Sequence, residues 1–341
     1  LDGKRVQCYH KHNNGSYGRD VYKMERHIQK IKQFGIMVGL KKEDAFEGWF
    51  CKVDDPINGL MFSVIWGYST HRSTKHAFLQ FQNSLQHDTA YISYPIQELR
   101  WKADPFVLRI GRNVLSQAGM HLDFGMNDIP VQGDFHFGDF SPIERSFLKP
   151  NIMGWLTHFP NECNHAIISM KHKVTGNLLM GNQSWNIREA DGFIEKDWGT
   201  GFPKEYVWVQ VNDWEKSAVV FSYATVPILG KYAKGFFLLL HHDGKEYRFS
   251  SIEGSRLHDF QVSDDSFSVT IEKKDIRVKL KAKQSNPVAL TSPKQGEMNS
   301  HIKESLDGIF ELTLEMNKQM MIALSSQRAS IDVHYGAELK P

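Results

Sequence analysis

Short stretches of alternating apolar and polar residues, punctuated by turn dipeptides, run through almost the whole chain, and this pattern restricts the fold more than any other feature. Phe267, Val269 and Ile271 alternate, as do Ile276, Val278 and Leu280, and Lys273–Asp275 between the two runs predicts a hairpin. Phe236–His242 and Tyr247–Phe249 are joined through Asp243-Gly244, a strong tight-turn pair. Similar strands are legible at Trp49–Val53, Leu60–Trp66, His76–Gln82, Val131–Phe137, His165–Lys171, Leu178–Trp185, Tyr206–Asn212 and Phe310–Met316. About eight strands per half without long crossover helices predicts a mainly β protein built from two antiparallel barrels or sandwiches. A parallel α/β sheet is excluded by the same pattern.

One helical periodicity stands apart. Val21, Met24, Ile28 and Ile31 recur at intervals of three and four between Asp20 and Gly35, which predicts an N-terminal amphipathic helix. Phe140–Pro160 has little strand pattern and carries Pro142, Pro150 and Pro160, so the domain boundary is expected there, dividing the chain into residues 1–150 and 151–341.

Composition narrows the partners. Lys and Arg number 41 against 39 Asp and Glu, and a net charge of +2 offers a nucleic acid no electrostatic footprint. The three cysteines, Cys8, Cys51 and Cys163, form neither a disulfide framework nor a zinc pattern, which points to a reducing, cytoplasmic setting. No apolar run reaches the roughly 18 residues of a membrane span. His121 and Asp123 with Asp134 and His136 match no tight metal spacing, so no metal site is expected. The chain lacks a phosphate-binding GxxxxGK[ST] loop, a GxSxG elbow and a GxGxxG turn, so no cofactor is expected either.

The informative strand is Tyr206–Asn212. Val207, Val209 and Val211 occupy one face; Tyr206, Trp208, Gln210 and Asn212 occupy the other, where a solvated sheet would carry charge. Large aromatics beside uncharged hydrogen-bonding groups suit the wall of a small-molecule cavity. Upstream, Phe193, Glu195 and Asp197 alternate onto one side. Two enclosed carboxylates repel, raising the pKa of one so that it serves as an acid near neutral pH. The same spacing also fits Asp197 capping the turn before Gly199 and Glu195 in an ordinary ion pair. Glu47 and Trp49 share a face of a further strand, and Cys163 shares one with His165.

At these residues the sequence resembles the tocopherol cyclase-like family, within the tandem lipocalin-like proteins. The resemblance is carried by Phe46-Glu47-Gly48-Trp49-Phe50-Cys51-Lys52-Val53, Pro150–Trp155, Glu162-Cys163-Asn164-His165, Gly192–Gly199 with Phe202-Pro203, and Trp208–Asn212. It implies two lipocalin-like barrels with a ligand cavity near their contact. It also implies cofactor-independent, acid-initiated cyclisation, hydration or isomerisation of a prenylated hydroquinone or other isoprenoid-type apolar substrate. Such chemistry needs a proton donor of raised pKa, aromatic faces for a transient cation and a dry cavity. Glu195 and Asp197 are the candidate acids, with Glu47 and His165 as their partners. Trp49, Trp198 and Trp208 are the candidate aromatic faces, and Tyr206, Gln210 and Asn212 the remaining wall. The partner is then a small apolar molecule, collected by peripheral contact with a membrane. Two other readings fit the residues: a lipocalin-like carrier that performs no chemistry, and a sugar-binding sandwich using exposed tryptophans.

Overall fold

The computed structural model describes residues 32–146, 151–154, 161–228 and 231–336. The periodicity at Val21–Ile31 lies outside them. Among the described residues there is no α-helix, and no helix is long and apolar enough to cross a membrane.

Eleven strands form the first sheet: β1 (Phe46–Asp55), β2 (Leu60–Ser69), β3 (His76–Asn83), β4 (Thr89–Pro95), β5 (Leu99–Ala103), β6 (Phe106–Ile110), β7 (Asn113–Ser116), β8 (Gly119–Met126), β9 (Ile129–Phe137), β10 (Cys163–Met180) and β11 (Gln183–Gly199). Their order is β4-β3-β2-β1-β11-β10-β9-β8-β7-β6-β5, antiparallel throughout. The two end strands, β4 and β5, are consecutive in sequence and joined by the short turn Ile96–Glu98, so the sheet curls into a nearly closed barrel. Phe62, Phe81, Phe135, Trp66 and Trp49 fill its interior.

The second sheet contains β12 (Glu205–Val211), β13 (Ser217–Ile228), β14 (Lys231–His242), β15 (Lys245–Ser250), β16 (Arg256–Val262), β17 (Ser266–Lys273), β18 (Ile276–Lys283), β19 (Val288–Lys294), β20 (Glu297–Met316) and β21 (Gln319–His334). It runs β15-β14-β13-β12-β21-β20-β18-β17-β16, with β19 on β20. Its ends, β15 and β16, are again consecutive, and Lys273 Nζ on β17 donates to the Arg248 carbonyl on β15 at 2.9 Å. Val207, Val209 and Val211 pack inward with Phe221, Leu238, Phe267 and Leu312. The expected mainly β, double-barrel architecture is therefore present, and both proposed hairpins form.

The division between the sheets falls between Gly199 and Glu205, not at residue 150. Pro142 does mark an irregular segment, but the chain returns to the barrel it left: β10 pairs with β9, and β11 pairs with β1. Local composition registers the interruption and carries no information about where the next strand adds.

The outer faces of β1, β10 and β11 meet the outer faces of β12 and its neighbours across a third apolar cluster that includes Phe50, Ile167, Phe193, Tyr206, Trp208, Leu239 and Ile302. Polar ties flank it. Lys52 Nζ donates to Gln210 Oε1 at 3.2 Å and to the Arg328 carbonyl at 3.0 Å. Asn212 Nδ2 donates to the Gly192 carbonyl at 3.0 Å, while Gln80 and Thr291 exchange two hydrogen bonds, at 2.8 and 3.2 Å.

Where β11 leaves the first barrel, the Thr200 amide donates to the Glu162 carbonyl at 2.7 Å. A Cβ on Gly199 would stand 2.0 Å from that carbonyl oxygen. Backbone cannot swing aside as a side-chain tip can, so Gly199→Ala is expected to destabilise by ~1–3 kcal/mol, the range for overpacking. A lowered urea midpoint measures it, and an unchanged midpoint refutes it.

Candidate active site

The contact between the two sheets encloses a cavity of about 240 Å³. From the first sheet, Phe46, Gly48 and Phe50 of β1, Cys163 and His165 of β10, and Glu195 and Asp197 of β11 face it. From the second come Tyr206 and Trp208 of β12, Phe236 and Phe237 of β14, Ile302 and Glu304 of β20, and Asp332 of β21. Because side chains alternate, β1, β11 and β12 send their intervening residues into a barrel interior.

Register brings the polar members together. Asp197 on β11 is paired with His165 on β10 and with Gly48 on β1, while Glu195 is paired with Ile167 and Phe50. The absent side chain at Gly48 leaves space beside Asp197. His165 Nδ1 hydrogen-bonds Asp197 Oδ1 at 2.8 Å, and His165 Nε2 lies 3.4 Å from Glu195 Oε2. Neither Nε2 nor Oε2 has a well-directed hydrogen bond to protein. Cys163 Sγ stands 3.8 Å from Asp197 Oδ1.

Burial acts strongly on Glu195 and on its histidine neighbour. Burial raises the Glu195 carboxyl to about 8, with Asp197 adding to the rise and His165 opposing it. Burial alone would depress His165, but the Asp197 and Glu195 carboxylates outweigh it and raise the imidazole to about 9. Burial thus favours the protonated form of Glu195, while the Asp197 carboxylate at 2.8 Å favours the charged form of His165. Asp197→Asn is expected to drop the His165 pKa from about 9 toward its ordinary value of roughly 6.5. Ring-proton NMR titration reads this directly, and an unmoved midpoint removes Asp197 as the cause.

Around these groups the lining is aromatic. Phe50 meets Trp208 edge-on with ring centroids 5.7 Å apart, and Phe237 lies 5.4 Å from the His165 ring. Phe202, from the link between the sheets, packs on Phe46 at 5.6 Å and on Tyr206 at 6.0 Å.

Of the residues singled out from sequence, Glu195, Asp197, His165, Tyr206 and Trp208 line the cavity. Glu47, Trp49 and Trp198 do not. They lie on the opposite faces of β1 and β11, inside the first barrel, since each is adjacent in sequence to a cavity residue. There Glu47 pairs with Lys196 Nζ at 2.5 Å and accepts the Met37 and Val38 amides at 2.6 and 2.9 Å, while Lys196 lies 4.4 Å over the Trp49 ring. Gln210, farther along β12, and Asn212, just past its end, do not line the cavity and instead tie the sheets together. Glu304 and Asp332 line the cavity as well, although no motif in the sequence marks them. A signal for Asp332 existed: it sits between Ile331 and Val333, the same alternation that drew attention to β12.

His165, Glu195 and Asp197 also offer one ligand atom each within 4.8 Å of one another, a set that could hold a divalent ion. His121 and Asp134 form a 2.6 Å contact on neighbouring strands and do not line the cavity.

A family model described as tocopherol cyclase-like matches residues 136–335. A curated relative named a probable chloroplastic tocopherol cyclase, from Oryza sativa subsp. japonica, is 28% identical over 127 residues, 35% of this chain and 25% of that protein. The aligned region thus spans a quarter of the relative's length. The crystal structure of a protein assigned as an AttH of Nitrosomonas europaea superposes with a TM-score of 0.52 at 11% identity, covering 91% of this chain and 98% of that one, a likeness of fold. Kievitone hydratase of Nectria haematococca superposes more weakly, at 0.48 and 9% identity over 84% of this chain and 89% of its own. The family match takes in more than half of the chain, from β10 through β21 and with them Glu195, Asp197, Glu304 and Asp332, so the chain belongs to the tocopherol cyclase-like family.

Proposed function

We propose that this protein is a cofactor-independent cyclase or hydratase-type enzyme that protonates an alkene of a bulky, isoprenoid-type apolar substrate, with Glu195 as the acid. One observation carries the reading: the buried Glu195 carboxyl faces an aromatic-lined cavity with His165 Nε2 3.4 Å from its Oε2, and burial raises its pKa to about 8. The name of the rice relative supports the same class of chemistry.

In this reaction the neutral Glu195 delivers its proton to the less substituted alkene carbon. The C=C electron pair becomes the new C–H bond, and a tertiary cation remains. A hydroxyl of the same molecule closes on the cation in cyclisation, or water does so in hydration; loss of a neighbouring proton gives the isomer. The proton released in each case returns to Glu195. Asp197 is less suited to the donor role because His165 holds it at 2.8 Å. His165, 3.4 Å from Glu195, stabilises the carboxylate left after transfer and so lowers the cost of giving up the proton. The faces of Trp208 and Phe50 attract the developing positive charge, and an apolar lining keeps out water that would trap it prematurely.

The direct test incubates the purified protein with a prenylated hydroquinone and with simpler alkenes of the same chain type, following products by mass spectrometry. New cyclised, hydrated or isomerised product supports an enzyme. Tight binding with only starting material recovered assigns a carrier instead.

A further inference from the structure

A second pair of buried acids faces the same cavity from the other sheet, and the proton-transfer chemistry above does not use it. Glu304 on β20 and Asp332 on β21 are direct cross-strand partners, 5% and 4% exposed, and both line the cavity. Their hydrogen bonds differ. Glu304 Oε1 accepts from Gln82 Nε2 at 2.5 Å, across the contact between the sheets. Asp332 Oδ2 accepts from the Tyr206 hydroxyl at 2.5 Å, but Asp332 Oδ1 is buried and has no partner. Burial pushes Asp332 up to about 7, and the Tyr206 hydrogen bond opposes the rise.

A buried acceptor without a donor is costly to leave unmade. Tyr206 fixes the Asp332 carboxyl from one side, so its unoccupied oxygen has a defined orientation. Beside Glu304 and Tyr206 the lining is largely apolar, with Ile302, Phe236 and Ala224 among its members. Such a site rewards one hydrogen-bond donor on an otherwise apolar molecule and penalises the same molecule when that donor is capped.

We propose that Asp332, oriented by Tyr206, is a specificity-determining residue that accepts a hydrogen bond from a hydroxyl of the ligand, so that the cavity selects apolar molecules carrying an O–H donor. This rests on the reading that an apolar alkene occupies the cavity. It adds a second polar pole, opposite the pole formed by Glu195 and His165.

The test compares a prenylated phenol with its methyl ether, measuring binding of each through quenching of tryptophan fluorescence. Wild type is expected to prefer the phenol by ~10-fold or more, and Asp332→Leu to reduce the preference to within about two-fold by weakening phenol binding. If Asp332→Leu fails to unfold cooperatively, Asp332→Asn keeps the shape without the charge and is expected to reduce the preference at least ~3-fold. Glu195→Gln is expected to retain the preference while losing turnover, which separates the two assignments. A preference that survives the Asp332 substitutions overturns the proposal. So does a wild type that binds both ligands equally, or neither.

Discussion

Glu195→Gln is expected to lower turnover of an alkene-bearing substrate by ~10²–10⁴-fold, the usual worth of a positioned general acid, while the protein folds and still binds ligand. Gln keeps the volume of the side chain and cannot release a proton. Burial raises the Glu195 carboxyl to about 8, so its proton is in place below that pH and is lost above it. The wild-type rate is therefore expected to hold through neutrality and to fall as pH rises through about 8. The residual rate of the Gln variant should lack that limb. Chelators should leave the wild-type rate unchanged, because proton delivery, not metal ligation, is the role assigned to the His165, Glu195 and Asp197 group. Full activity in Glu195→Gln, with substrate turned over and product verified, would sink the acid assignment.

The largest effect on stability is expected at Glu47→Ala. Glu47 and Lys196 have no side-chain exposure, and Glu47 also accepts the Tyr68 hydroxyl inside the first barrel. Removing the carboxylate leaves the Lys196 ammonium buried without its counter-charge and leaves the Met37 and Val38 amides without an acceptor. Losing one partner of a buried pair costs ~3–5 kcal/mol, to be read from urea denaturation. The pair Glu47→Leu with Lys196→Met should recover much of the loss, since no unpaired charge remains. This result would separate Glu47 from catalysis: whatever activity survives in folded Glu47→Ala should keep the pH limb of wild type, whereas a lost limb with unchanged stability would return Glu47 to the site.

Trp49 and Trp198 show where local reading stops. Each is an aromatic one residue from a cavity residue. In a strand that single step places it on the other side of the sheet, so both fill the first barrel around Lys196. The alternation of Glu195 and Asp197 was legible, as was the unusual polar face of β12. Their convergence was not, because His165 reaches Asp197 only through the pairing of β10 with β11. Asp332 was less visible still: it meets Tyr206 across 126 positions of chain.

Alternation every second residue and turn dipeptides such as Asp243-Gly244 were enough to specify antiparallel strands and the face each side chain takes, because these depend on backbone stereochemistry within a few residues. Which face of β1, β11 and β12 became a barrel core and which became a cavity wall was decided only when the two curled sheets packed together. That packing depends on burial between segments far apart in the chain. It also decided that Glu195 would be buried and face the cavity, where burial raises its pKa.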